Sequence, residues 1–213
     1  MYRRQRNPLA DFKKTVVTLF YDFEGDYSGP DRREPCMHAV RRMLASQEKH
    51  NIRCTYNTVA ELATEIPDFI KELLGKGNEL SSHSLRHRVF PELARSEQIR
   101  DIQRATELLR GHGVHVIGHR SPQSRWTWTV IDELFRNNYA WNAENGPERY
   151  PFVCKSETQG RVWRMPVRDD DWRYVSHSYT PDQMLEFWKS LVEDAAVDGG
   201  YCAIGFHPWL EDD

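Results

Sequence analysis

Long apolar runs are missing from these 213 residues, and so is a strong excess of charge of either sign. No stretch approaches the ~20 apolar residues that a membrane-spanning helix needs, so no membrane insertion is expected. The opening residues, MYRRQRNPLADFKK, carry positive charge with no apolar segment behind it, and no secretory leader is read there. Lys plus Arg number 29 and Asp plus Glu 32, giving a formal net charge of −3. That balance offers no electrostatic footing for nucleic acid, which is not expected as a partner. Cysteine is scarce too. Cys36, Cys54, Cys154 and Cys202 stand far apart without a CxxC pair, which reads as reduced, buried thiols and not as a disulfide framework. Together these absences point to a cytoplasmic globular protein.

What is present is one domain's worth of core. Apolar residues make up 39% and charged residues 29%, with seven Trp among the aromatics. A basic tail over residues 1–14 (Arg3, Arg4, Arg6, Lys13, Lys14) is read as solvated, and a single folded domain over 15–213. Within it β-branched runs alternate with helical spacing. Strands are expected at 15–20, 52–56, 79–82, 114–118, 139–142, 162–167 and 201–206. Helices are expected at 36–49, 58–75, 93–110, 127–137 and 181–197. About seven strands separated by helices argue for parallel pairing through crossovers, in a doubly wound sheet or a barrel.

Five polar constellations fall at or just beyond the expected strand ends. Asp22-Phe23-Glu24-Gly25-Asp26 follows the first strand, and continued strand periodicity would put its three carboxylates on one face. Such crowding is tolerable around a cation or in a solvated loop. His83 and His87, separated by three residues in HSLRH, meet on one face if that stretch turns helically. Imidazole plus carboxylate suits zinc, and also iron, cobalt or nickel; a surface pair is the plainer reading. Gly118-His119-Arg120-Ser121-Pro122 offers a guanidinium to hold a carboxylate ionised through a bidentate contact, or merely a structural ion pair. Asp169-Asp170-Asp171-Trp172 is most simply a solvated acidic loop, and His207 in GFHPW most simply a packed histidine. Placement is what joins them, because parallel α/β folds assemble their sites at that edge.

In order and spacing these motifs resemble the polysaccharide deacetylase family, from about residue 15 to 209. GNELSSHSLRH (77–87) is similar to the family's Gly-x-Glu-hydrophobic-small-x-His-Ser/Thr-x-x-His segment, and GHRSP (118–122) to its Arg-x-Pro element. The resemblance implies an incomplete or distorted (β/α)7 barrel and a metal-dependent hydrolase removing N-acetyl groups from an amino sugar or glycan precursor. It implies Asp22 as general base, His83 and His87 as metal ligands, and Arg120 orienting Asp22. It also implies His207 as general acid tuned by Asp171, with Trp172, Pro122 and Trp209 by the substrate. Zinc is the expected metal, with Co2+, Ni2+ or Fe2+ as alternatives. Phe23 stands where many members have a second aspartate, so Glu24 is taken as third ligand and Asp26 as its competitor. The Asp-x-Glu spacing also occurs in branches acting on small or cyclic amides, which keeps an amidase reading open. Only six residues follow His207, where another helix is expected; that and Phe23 keep a catalytically silent sugar-binding barrel in view.

Overall fold

The computed structural model describes residues 14–28, 33–156, 160–197 and 200–210. The basic tail lies outside them, apart from Lys14.

The run VVTLFYDF forms β1 (Val16–Phe23). Seven shorter strands follow it: β2 (Thr55–Thr58), β3 (Glu79–Ser82), β4 (Gly118–Arg120), β5 (Trp141–Asn145), β6 (Phe152–Lys155), β7 (Arg161–Val167) and β8 (Asp169–Asp170). The last strand is β9 (Tyr201–Phe206). All nine join one sheet in the order β6-β7-β5-β4-β3-β2-β1-β9-β8. Every pairing is parallel except β6 with β7. The sheet curls into a half-barrel, a single-domain distorted (β/α) barrel. Its curl brings β7 back toward β9, where Arg168 N–H donates to Ala203 O at 2.9 Å.

The parallel ladders need crossovers, and the helices supply them. These are α1 (Arg33–His50), α2 (Leu62–Glu65), α3 (Pro67–Gly75), α4 (Arg95–Gly111), α5 (Trp128–Arg136), α6 (Trp172–His177) and α7 (Pro181–Val197). The single helix expected over 58–75 is broken into α2 and α3, because Pro67 suits a helix's first turn and disfavours helical backbone before it. At the start of α4 the Glu97 carboxylate accepts the Ala94 N–H at 2.9 Å. Thr127 Oγ1 caps α5 by accepting Val130 N–H at 3.2 Å. No helix of the described residues is long and apolar enough to cross a membrane.

Two strands were not legible: β6, the antiparallel edge, and the two-residue β8. The strand expected at 114–118 moves forward to Gly118–Arg120. Val114 and Val116 are buried in the core, but ladder pairing starts only at Gly118 opposite Trp141. That register explains the glycine. A Cβ on Gly118 would lie 1.9 Å from the Trp141 indole, whose ring also packs 5.6 Å from Phe20. Gly118→Ala is therefore expected to cost about 1–3 kcal/mol by overpacking, read by urea denaturation, and Trp141→Leu in the same chain should recover most of it.

Candidate active site

The strand ends deliver the polar side chains to one place. β1 carries Asp22 to its penultimate position, while its neighbour Phe23 turns the opposite way into the core and packs 5.7 Å from Phe69. The strand stops there, so strand periodicity does not set the next carboxylate. Glu24 precedes a 3-10 turn (Gly25–Ser28), entered through Gly25 at φ 58°. Asp26 lies in that turn, and its side chain is outside what the structure describes.

His83 and His87 do not lie on a helix. The stretch after β3 is a bent turn in which Ser84 (φ 67°) and His87 (φ 56°) are left-handed. That bend brings the two rings to 5.1 Å between centroids. The His83 Nδ1 lies 2.8 Å from the carbonyl of Arg120, which can only accept, so Nδ1 carries the proton and the Nε2 lone pair faces Glu24. Glu24 Oε1 is 3.4 Å from His83 Nε2 and 3.0 Å from His87 Nε2. Neither nitrogen makes a geometrically acceptable hydrogen bond, and both are buried. One ligand atom from each of the three residues lies within 4.8 Å of the others. Two orphaned imidazole nitrogens facing a buried carboxylate is a donor set that fits a divalent transition metal.

Asp22 is pinned on both oxygens. Oδ1 accepts from Asn57 Nδ2 at 2.6 Å, and Oδ2 accepts from Arg120 Nε at 2.9 Å. The guanidinium contact is thus single and not bidentate: Nη2 goes instead to Asn145 Oδ1 at 3.0 Å and approaches Asp170 at 3.5 Å. Burial opposes ionisation of Asp22, but the positive charge of Arg120 foremost, with that of His207, outweighs it and holds the carboxyl below its ordinary range.

His207 follows β9 and is gripped at two points. Its backbone N–H donates to Asp171 Oδ2 at 2.5 Å, and its Nδ1 lies 2.5 Å from Asp171 Oδ1. The acidic run is therefore not a solvated loop, since Asp171 is buried and β8 hydrogen-bonds to β9. Burial would lower the His207 pKa, yet the Asp171 carboxylate and the carboxylates beyond it push it up to about 10. Its Nε2 points the other way, 3.6 Å from Asp22 Oδ2 and 4.0 Å from Glu24 Oε1.

These groups open on a cavity of about 510 Å³. Trp172, half exposed, stands edge-on to His207 and to Trp209, with centroids 6.3 and 5.8 Å away. Trp209 is more than a ring surface, because its Nε1 donates to Glu24 Oε2 at 3.2 Å. Pro122 is the exception among the three residues expected by the substrate: it is buried and does not line the cavity, and the next residue, Gln123, does. Asn57, Asn145 and Gln123 went unseen in the sequence. Asn57 gave one signal, an amide inside a strand (TYNT), and Asn145 another, its place at the end of β5.

Taken together, the half-barrel gathers carboxylates and imidazoles at its strand ends, in a cluster that could hold a metal ion. The comparisons narrow it. A family profile described as polysaccharide deacetylase matches residues 11–140. The chain belongs to the polysaccharide deacetylase family. A search of the curated proteins finds none that matches. Among solved structures, one assigned as a polysaccharide deacetylase from Mycobacterium smegmatis superposes with a TM-score of 0.83 at 19% identity, covering 94% of this chain and 79% of that one. The PuuE allantoinase superposes at 0.84 with 16% identity, covering 97% and 82%. A family 4 carbohydrate esterase from Streptomyces lividans in complex with acetate gives 0.59 at 14% identity, covering 93% and 81%. At such identities the likeness concerns the fold.

The turn between the two histidines is held from α4, where Asp101 Oδ1 accepts the Leu85 N–H at 2.8 Å. Burial pushes the Asp101 carboxyl up to about 6, above its ordinary 3.8. A folded pKa above the unfolded one means this group's stabilising contribution is full below about pH 4 and is lost as pH rises through 6. Asp101→Asn, which keeps an acceptor for Leu85, should flatten the fall in Tm between those values. Asp101→Leu should instead cost about 1–3 kcal/mol by orphaning the N–H.

Proposed function

We propose that the chain is a metal-dependent N-deacetylase of an amino sugar or a glycan built from one. The observation that carries this reading is the pair of buried imidazole nitrogens of His83 and His87, without an acceptable hydrogen bond, facing a Glu24 carboxylate that lies 4.0 Å from His207, itself 3.6 Å from Asp22. Membership of the polysaccharide deacetylase family supports it.

In this reading Glu24, His83 and His87 hold the metal, with zinc the best match to two imidazoles and a carboxylate. When bound, it supplies Lewis acidity for the acyl carbonyl and makes water acidic enough to be deprotonated near neutral pH. The rest is done by the chain. Asp22, kept ionised by Arg120, accepts the proton of the attacking water on its Oδ2 side. His207, kept protonated by Asp171, donates from Nε2 to the departing nitrogen, without which an amide anion would have to leave. Asn57 and Asn145 act through others. Asn57 fixes the Asp22 carboxylate plane, and Asn145 turns the Arg120 guanidinium so that Nε faces Asp22. Trp172 offers an exposed indole on which a sugar face could stack.

A second reading keeps the site and changes the substrate. The Asp22-x-Glu24 spacing, which the family's branches acting on small or cyclic amides share, supports it, and the PuuE allantoinase has the same fold. The deciding experiment assays acetate release from N-acetylated amino sugars beside opening of allantoin, with metal content measured in the same samples. About one divalent metal per chain is expected, lost in His83→Ala/His87→Ala together with activity. Asp22→Asn and His207→Ala should keep the metal and lose about 10²–10⁴-fold in kcat. A fully active Asp22→Asn variant would remove that residue from the role of base, and a protein without metal would remove the proposal altogether.

A further inference from the structure

The segment after Arg120 breaks a local rule. Ser124 N–H donates to Ser121 O at 2.8 Å, closing a tight turn with Pro122 second and Gln123 third. Gln123 has φ 55° and ψ 20°, the geometry of the third position of a type II turn, where glycine or asparagine is the unstrained choice. Ser124 is left-handed as well, at φ 55°. Two successive left-handed residues with side chains persist only where the surroundings over-determine them.

The surroundings do so here, at a cost. Glu144, fully buried on β5, accepts Ser121 N–H at 3.1 Å on Oε1 and Ser124 Oγ–H at 2.9 Å on Oε2. Ser124 Oγ in turn accepts Asn145 N–H at 2.6 Å. A carboxylate taken out of water thus clamps the turn from below. The side chain it holds up is exposed, lines the site cavity, and makes no hydrogen bond among the described residues. Its polar neighbours on that wall are already engaged: Asn145 with Arg120 and Asp170, and Asp170 with the Trp172 N–H at 3.2 Å. A glycine would satisfy this turn more cheaply, so the turn itself does not account for the glutamine.

We infer that Gln123 is a specificity-determining residue, its side-chain amide presented by the Glu144-clamped turn to hydrogen-bond a hydroxyl or amide substituent of the sugar that carries the scissile N-acetyl group. The inference rests on the deacetylase reading and deepens it. An amide both donates and accepts, which suits a neutral, hydroxyl-rich ring and gives no advantage to an anionic one.

The test is the comparison of wild type with Gln123→Gly and Gln123→Asn, metal-loaded, on N-acetylglucosamine and its β-1,4 oligomers. Gln123→Gly keeps the backbone its turn requires and removes the amide. It should leave Tm unchanged or raised, keep the metal, and raise KM about three- to tenfold with a much smaller change in kcat. Gln123→Asn, which tolerates the left-handed conformation but is shorter, should fall between. Opposite movement of stability and KM is not produced by a residue that only shapes the turn. If the wild type turns over none of these sugars, the same variants are compared by calorimetric titration with the oligomers, and weaker binding by Gln123→Gly supports the inference while the deacetylase reading falls. Unchanged KM, or unchanged affinity, in Gln123→Gly overturns the inference and leaves the deacetylase reading standing where acetate is released. A wild type that neither deacetylates nor binds the oligomers overturns both.

Discussion

The buried ion pair between Asp22 and Arg120 is the contact around which the site is arranged. A lone carboxylate at this depth would be protonated, and a lone guanidinium would be left uncompensated. Each needs the other, and each is then fixed by an amide, Asn57 on the aspartate and Asn145 on the arginine. Asn57 is itself held by the Ser81 hydroxyl at 2.5 Å, so the pair is anchored in β2 and β3 as well as in β1 and β4. The Arg120 backbone carbonyl meanwhile sets the His83 tautomer. One arginine therefore orients both halves of the site, through its side chain and through its main chain.

Around that pair the charges alternate. Asp171, His207, Asp22 and Arg120 succeed one another with opposite signs, and Glu24 faces His83, His87 and His207. Such an arrangement lets ionised groups coexist in a buried place because each is compensated within about 4 Å. It also explains why burial, which by itself would neutralise Asp22 and discharge His207, does neither.

Much of this was legible in the sequence, and the reasons are specific. The motifs at Asp22, His83, Arg120, Asp171 and His207 were found because a parallel sheet gathers its strand ends, so placement could be read without knowing side-chain directions. The long helices α1, α4 and α7 announced themselves by apolar spacing. What was lost depended on tertiary pairing. Val114–Ile117 has strand composition but no ladder at that register; β8 is two acidic residues that become a strand only against β9. The helical face imagined for His83 and His87 gave way to a left-handed bend, which no propensity announces for Ser or His. Pro122, expected beside the substrate, is buried for a similar reason, because in that turn Gln123 and not the proline lines the cavity.

The bond from Trp209 to Glu24 spans 185 residues of chain. β1 likewise sits between β2, the next strand made, and β9, the last. During synthesis β1 therefore waits with one edge unpaired until β9 has been made, and the pocket around Glu24 is completed only when Trp209, 185 residues later, has followed. Contacts of such sequence separation slow folding and leave an apolar edge open to other chains in the interval. A ribosome-bound fragment ending before β9 would thus leave the edge of β1 unpaired and lack His207 and Trp209, so the residues from β9 onward complete the pocket as much as they complete the fold.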